Sequence, residues 1–203
     1  PVGLLRAPAG KSALARYWPY AAAAHERPLN QVDVDPYSAL MAASMPLVAD
    51  EVLDAYSLAR HKRLLDVGGG EGAFAAAAAQ RWPHLKLAVF DLPAVAQRAR
   101  RQVAARGLAD RIDVHEGSFL TDALPEGADV ISLVRVVHDH DDDHVLVLLN
   151  AVRKALPPHG VLLLAEPLAD TPGAQAMGDA YLGVYRWAMG SGKPRSANRL
   201  GEL

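Results

Sequence analysis

The sequence predicts an α/β fold built on a parallel sheet, and three observations carry that expectation. From Arg63 onward, apolar stretches of strand length alternate with segments of helix length. The first of these strands runs straight into a glycine-rich turn, Gly68-Gly69-Gly70-Glu71-Gly72. Polar or glycine clusters then cap each later strand, at Asp91-Leu92, Ser118-Phe119, Arg135 to Asp139 and Glu166. Such alternation favours parallel strands with right-handed crossovers, and ligands at the carboxyl ends of those strands.

The elements follow in order. Ser12 to Ala24 is rich in alanine and aromatic residues, and is interrupted by Arg27-Pro28-Leu29-Asn30 and Val34-Asp35-Pro36, because proline disfavours helix in the residue before it. A helix resumes from Tyr37 to Tyr56 despite Pro46, with Leu40, Met41, Met45, Leu47, Val48, Val52 and Leu53 on an apolar side. Residues 1–56 read as part of a helical N-terminal domain, and 57–203 as the α/β domain. Leu64, Leu65 and Val67 form the first strand, and the run Ala73 to Ala79 favours helix strongly. A strand over Leu85 to Phe90 leads to a helix over Pro93 to Arg106, with proline suited to the first turn and Gly107 to the cap. Ile112 to His115 is the third strand, and Asp129 to Val137 a fourth, apolar enough to be buried on both faces. A helix over Asp142 to Leu156, with an acidic start matching the helix dipole, and a strand over Val161 to Ala165 follow. Asp179 to Met189 reads as an amphipathic helix whose Tyr181, Tyr185 and Trp187 either pack or line an apolar pocket. After Leu203 a sheet of this type would need two further strands to close its edge.

The glycine turn is the first functional feature. Alternating glycines allow positive φ and close approach of backbone to a ligand, and the helix behind them offers unpaired N–H groups. A dinucleotide-binding oxidoreductase is one reading. Asp66 inside the strand and the lack of the fuller G-x-G-x-x-G spacing speak against it. Asp66 can accept hydrogen bonds from the loop amides or, through water, from a cationic ligand, and Asp91, at the end of the second strand, can take both hydroxyls of a ribose.

With 203 residues, 51% of them hydrophobic, the chain can bury one sizeable α/β core. A net charge of −2 with scattered basic residues gives no footprint for nucleic acid. The absence of cysteine excludes disulfides and thiolate catalysis and fits a reducing compartment. No apolar run is long enough for a membrane span and no signal peptide opens the sequence, so a cytoplasmic protein is expected.

Taken together, Leu65-Asp66-Val67-Gly68-Gly69-Gly70-Glu71-Gly72, Phe90-Asp91-Leu92-Pro93, Gly117-Ser118-Phe119 and Arg135-Val136-Val137-His138-Asp139 resemble the S-adenosyl-L-methionine (SAM)-dependent O-methyltransferases of the caffeate and acetylserotonin type. The resemblance covers roughly Tyr37 to Arg195. Within that family, Pro36 to Ser44, Ile131 to His140 and Tyr181 to Ser196 are similar to the bacterial carotenoid hydroxyl methylases of the demethylspheroidene type. It implies a Rossmann-like methyltransferase sheet, SAM as cofactor, a small hydroxylated acceptor and a homodimer in the full-length protein. It also implies that His138 is the base for the acceptor hydroxyl and that Glu166 orients it, with Asp139 beside them. The implied cofactor contacts are Gly68, Asp91, Leu92, Ser118, Phe119, Arg135 and, from the preceding helix, Tyr37. Histidine is the side chain whose ordinary titration lies nearest neutrality, which suits it to a base.

Two departures stand out. Plant members have tryptophan after His-Asp where this chain has His140, and their second acidic residue near the base falls at Pro194, which cannot orient an imidazole. A tertiary alcohol would suit such a site, since its proton would leave during or after methyl transfer and alignment would supply much of the rate. His138-Asp139-His140-Asp141-Asp142-Asp143-His144 also carries metal-ligand residue types, but it spans a strand end and a helix start, so its side chains diverge and no metal is expected. Three classes stay open: an O-methyltransferase acting on a carotenoid or on another aromatic or polyketide hydroxyl, a nicotinamide-dependent oxidoreductase, and a non-catalytic SAM-binding protein.

Overall fold

The structure, a computed structural model, describes residues 31–203. The expected helical segment over Ser12 to Ala24 lies outside the described residues. Helix α1 (Gln31–Ala55) is followed by β1 (Arg63–Val67), α2 (Ala73–Arg81), β2 (Lys86–Asp91), α3 (Pro93–Ala105), β3 (Ile112–Glu116), β4 (Val130–Val134), a 3-10 turn (Val137–Asp139), α4 (Asp142–Ala155) and β5 (Val161–Ala165). A π-helical turn (Ala176–Tyr181) then runs into α5 (Leu182–Met189), and α6 (Ala197–Glu202) follows. No helix among the described residues is long and apolar enough to cross a membrane.

The described residues fall into two compact units. In the first, residues 31–134 and 147–165, all five strands pair in parallel in the order β3-β2-β1-β4-β5. The order reverses between β1 and β4, and ligands bind at such a switch point, beyond the carboxyl ends of the strands. Leu64, Leu65 and Val67 of β1 and Val130, Ile131 and Leu133 of β4 are buried, as central parallel strands must be. Each contributes roughly 1.5–3 kcal/mol. Phe74, Ala75, Ala78 and Ala79 of α2 pack into the same core, together with Ala49 and Leu53 of α1. Strand β5 lies at the sheet edge and is half-buried along its length.

Three elements depart from expectation. Helix α1 begins earlier than Tyr37 and runs through both Pro36 and Pro46. Each proline removes one N–H from the helix ladder, and the burial of Ala49 and Leu53 offsets that loss. Strand β4 ends at Val134 rather than Val137, because Arg135 takes a left-handed conformation with φ 57. A strand cannot continue through such a residue. The helix expected from Asp179 is a π turn first and an α-helix only from Leu182.

The second unit comprises residues 135–146 and 166–203. It holds the 3-10 turn, the start of α4, the π turn, α5 and α6. Gly190, with φ 90, ends α5, and the Ser196 hydroxyl caps α6 by accepting from Arg199 N at 3.2 Å.

Candidate active site

The predicted site residues divide between the two units. In the first, the turn after β1 takes positive φ at Gly68, Gly70 and Gly72 (69, 57 and 76). Gly68 N donates to Phe90 O at 2.8 Å, which holds the turn against the end of β2. Asp91 then organises its surroundings: Oδ2 accepts from Gly70 N and Oδ1 from Leu92 N, each at 2.8 Å. A carboxylate has further lone pairs, so Asp91 keeps capacity for ligand hydroxyls. Burial pushes its carboxyl up to about 6, against the opposing pull of the Gly70 and Leu92 amides. Gly117 N donates to Asp91 O at 3.0 Å, which brings the loop after β3 to the same place. There Ser118 N donates to Asp122 Oδ2 at 2.8 Å, and Phe119 is half-buried. Tyr37 is buried in α1.

Of the two readings of Asp66, the loop amides are not its partners. Its Oδ1 accepts from the Ser132 hydroxyl at 2.7 Å, and its Oδ2 is buried without a hydrogen-bond partner. Burial, opposed by Ser132 and reinforced by the charge of Asp91, pushes the Asp66 carboxyl up to about 7. Sequence reasoning also passed over Gly69 and Glu71. A Cβ at Gly69 would lie 2.5 Å from Asp66 Oδ2 and 3.0 Å from a Val89 methyl, so this glycine is required by packing. Glu71 is buried and ion-paired with Arg98 of α3. At Gly70, by contrast, a Cβ would meet nothing within 4 Å. The residues present fit a nucleoside ligand: backbone borders open space, and a buried carboxylate stands beside it.

In the second unit the left-handed Arg135 turns the chain so that the next two amides face Glu166. Glu166 Oε1 accepts from Val136 N at 2.8 Å and Val137 N at 2.7 Å. Its Oε2 pairs with His138 Nδ1. A carboxylate partner makes Nδ1 the donating nitrogen and leaves the Nε2 lone pair available. Asp139 Oδ1 lies 3.3 Å from Nε2 and is ion-paired with Arg186, whose guanidinium sits 4.8 Å from the centre of the Tyr185 ring. Burial raises the Asp139 carboxyl, and His138 and Arg186 oppose that rise. The structure thus brings His138, Glu166 and Asp139 together, with one carboxylate near each ring nitrogen.

Arg195 fixes the turn itself. It donates from Nη1 to Val137 O at 3.0 Å, from Nη2 to His140 O at 2.8 Å, and from Nε to Asp142 Oδ1 at 2.9 Å. Arg195 with Lys193 and Arg199 holds the Asp142 carboxyl well below the usual range. His140 is pushed down to about 4, first by burial and then by His144 and His138. Among the described residues no group of three or more His, Asp or Glu could hold a metal. Neither Arg186 nor Arg195 was singled out from the sequence. The available signal for Arg186 was a lone charge in the apolar run Leu182–Met189.

Comparison with known proteins adds the following. A family model described as an O-methyltransferase domain matches residues 20–203. The demethylspheroidene O-methyltransferase of Cereibacter sphaeroides is 45% identical over 190 residues, 94% of this chain and 50% of that protein. The aclacinomycin 10-hydroxylase of Streptomyces purpurascens is 41% identical over 139 residues, 68% of this chain and 37% of that protein. Human N-acetylserotonin methyltransferase, solved in complex with SAM, superposes with a TM-score of 0.76 at 26% identity, over 85% of this chain and 50% of that one. The chain therefore spans half or less of these relatives.

Proposed function

This chain belongs to the O-methyltransferase domain family, and from that premise we propose that it transfers a methyl group from SAM to a hydroxyl of an apolar acceptor, a hydroxylated carotenoid of the demethylspheroidene type. The observation that carries the reading is Glu166, whose carboxylate takes two backbone amides and the Nδ1 of His138. That arrangement suits His138 to act as base through Nε2. When bound, SAM supplies an electrophilic methyl on a sulfonium. His138 Nε2 would take the acceptor hydroxyl proton as the methyl is transferred, and Glu166 would balance the imidazolium charge. Gly68, Asp91, Leu92, Ser118, Phe119, Arg135 and Tyr37 are the proposed cofactor contacts. Residues 1–56 are read as part of a helical pairing segment and 57–203 as the methyltransferase domain of a cytoplasmic homodimer.

The test is incubation of the intact protein with methyl-labelled SAM and demethylspheroidene, with hydroxylated flavonoids and quinones alongside. Label in the carotenoid product supports the reading. Label only in an aromatic product overturns the acceptor class. The relative named as a hydroxylase motivates a second arm: a product that gains oxygen and no methyl overturns the reaction itself.

A further inference from the structure

We infer that Arg186 is a positioning residue for His138, acting through Asp139: its guanidinium holds the Asp139 carboxylate on the Nε2 side of the imidazole. The inference rests on the reading of His138 as the base. Arg186 is the only charged residue of α5 and is 4% exposed. Burying a guanidinium is costly unless it is paired, and here its partner is Asp139. The Tyr185 ring lies under the guanidinium, its centre 4.8 Å from the guanidinium carbon, within cation–π range. Asp139 in turn reaches Nε2, at 3.3 Å. Glu166, His138, Asp139 and Arg186 thus form a line of carboxylate, imidazole, carboxylate and guanidinium within one compact unit.

The charges along that line explain what Arg186 would do. With a neutral imidazole the line carries one net negative charge, and with a protonated imidazole it is neutral with alternating signs. It therefore favours the state that follows proton transfer from the acceptor hydroxyl to Nε2, in which Asp139 stays a carboxylate and takes no proton. Without Arg186 the line would hold two uncompensated negative charges before transfer. Burial already works against the Asp139 carboxylate, and Arg186 is one of the charges that oppose that effect.

The test uses the intact protein, SAM and demethylspheroidene. Arg186→Met should lower kcat about 10- to 100-fold while the SAM Kd and the acceptor KM stay within about threefold. Arg186→Lys, which keeps the charge, should recover kcat to within about fivefold of wild type. In an Asp139→Asn background, Arg186→Met should cost less than about twofold, because its route of action is already gone. The 15N resonances of the His138 ring, recorded without acceptor, should move in Arg186→Met as they do in Asp139→Asn. An equal kcat loss with and without the Asp139 carboxylate, or unmoved His138 resonances, overturns the inference. Should Arg186→Met not fold, the same cycle and spectra run with Arg186→Lys decide it, a smaller coupled change supporting it and none overturning it. Wild-type turnover by His138→Ala is a separate failure, which overturns the base reading and with it any catalytic consequence of Arg186.

Discussion

Glu166 holds His138 by one oxygen only, since Oε2 meets the imidazole Nδ1 while Oε1 collects the amides of Val136 and Val137. That division of labour decides what an amide in its place would do. In Glu166→Gln the carbonyl oxygen keeps the two backbone amides, so the NH2 group faces Nδ1. Nδ1 must then accept and Nε2 must carry the proton, which removes the base without removing the ring. Turnover should fall by roughly 10² to 10⁴, as in His138→Ala, with SAM affinity little changed in both. Retention of more than a tenth of wild-type kcat by Glu166→Gln would show that this tautomer argument is wrong.

Asp91→Ala should weaken SAM binding more than tenfold, about 1.5–3 kcal/mol. The carboxylate is both the proposed ribose acceptor and the anchor of the Gly70 and Leu92 amides. Because its carboxyl is pushed up to about 6, affinity in the wild type should decline as pH falls through 6, and that decline should vanish in the variant. Calorimetric titration between pH 5 and 8 measures both effects.

Asp66 gives a pH-dependent stability with a definite sign. Its folded-state carboxyl, at about 7, lies above the ordinary value of 3.8. Its contribution is therefore fully present below pH 3.8 and is lost progressively as pH rises from there to about 7. Asp66→Asn should raise stability at pH 8, on the order of a few kcal/mol, and by less than about half as much at pH 5. Urea unfolding at both pH values checks this, and an equal effect at the two would contradict it.

Gly69 and Gly70 should fail in different ways. Gly69→Ala presses a methyl on Asp66 and Val89 and should cost about 1–3 kcal/mol of stability. Gly70→Ala meets no atom but holds φ 57, so it should cost only about 1 kcal/mol. It should nonetheless reduce SAM affinity more than tenfold, if that open space is where the cofactor lies. Melting temperatures and Kd values measured on both variants separate the two roles.

The parallel sheet was legible because each strand is a short apolar run closed by a polar or glycine cluster, and that pattern survives without tertiary information. Asp91 and the glycine turn were legible for the same reason. The partner of Asp66 was not legible because Ser132 is 66 residues away, and the choice between loop amides and that hydroxyl is made only by the β1–β4 register. The early end of β4 was hidden because β-branched residues on both sides of Arg135 favour strand, while one left-handed residue overrides them. Arg186 and Arg195 were illegible as functional residues, since burial of a charge depends on partners brought together by the fold.

Arg195 joins the backbone at Val137 and His140 to a segment more than fifty residues later without any covalent bond. For residues 137–142 to open, a buried guanidinium must leave two carbonyls and a carboxylate together, which couples the turn to residues 190–199. The amide protons of the two stretches should accordingly exchange with deuterated solvent at a common rate, with no separate fraying of the turn. Arg195→Ala should release the turn first and leave the exchange of β1 and β4 unchanged.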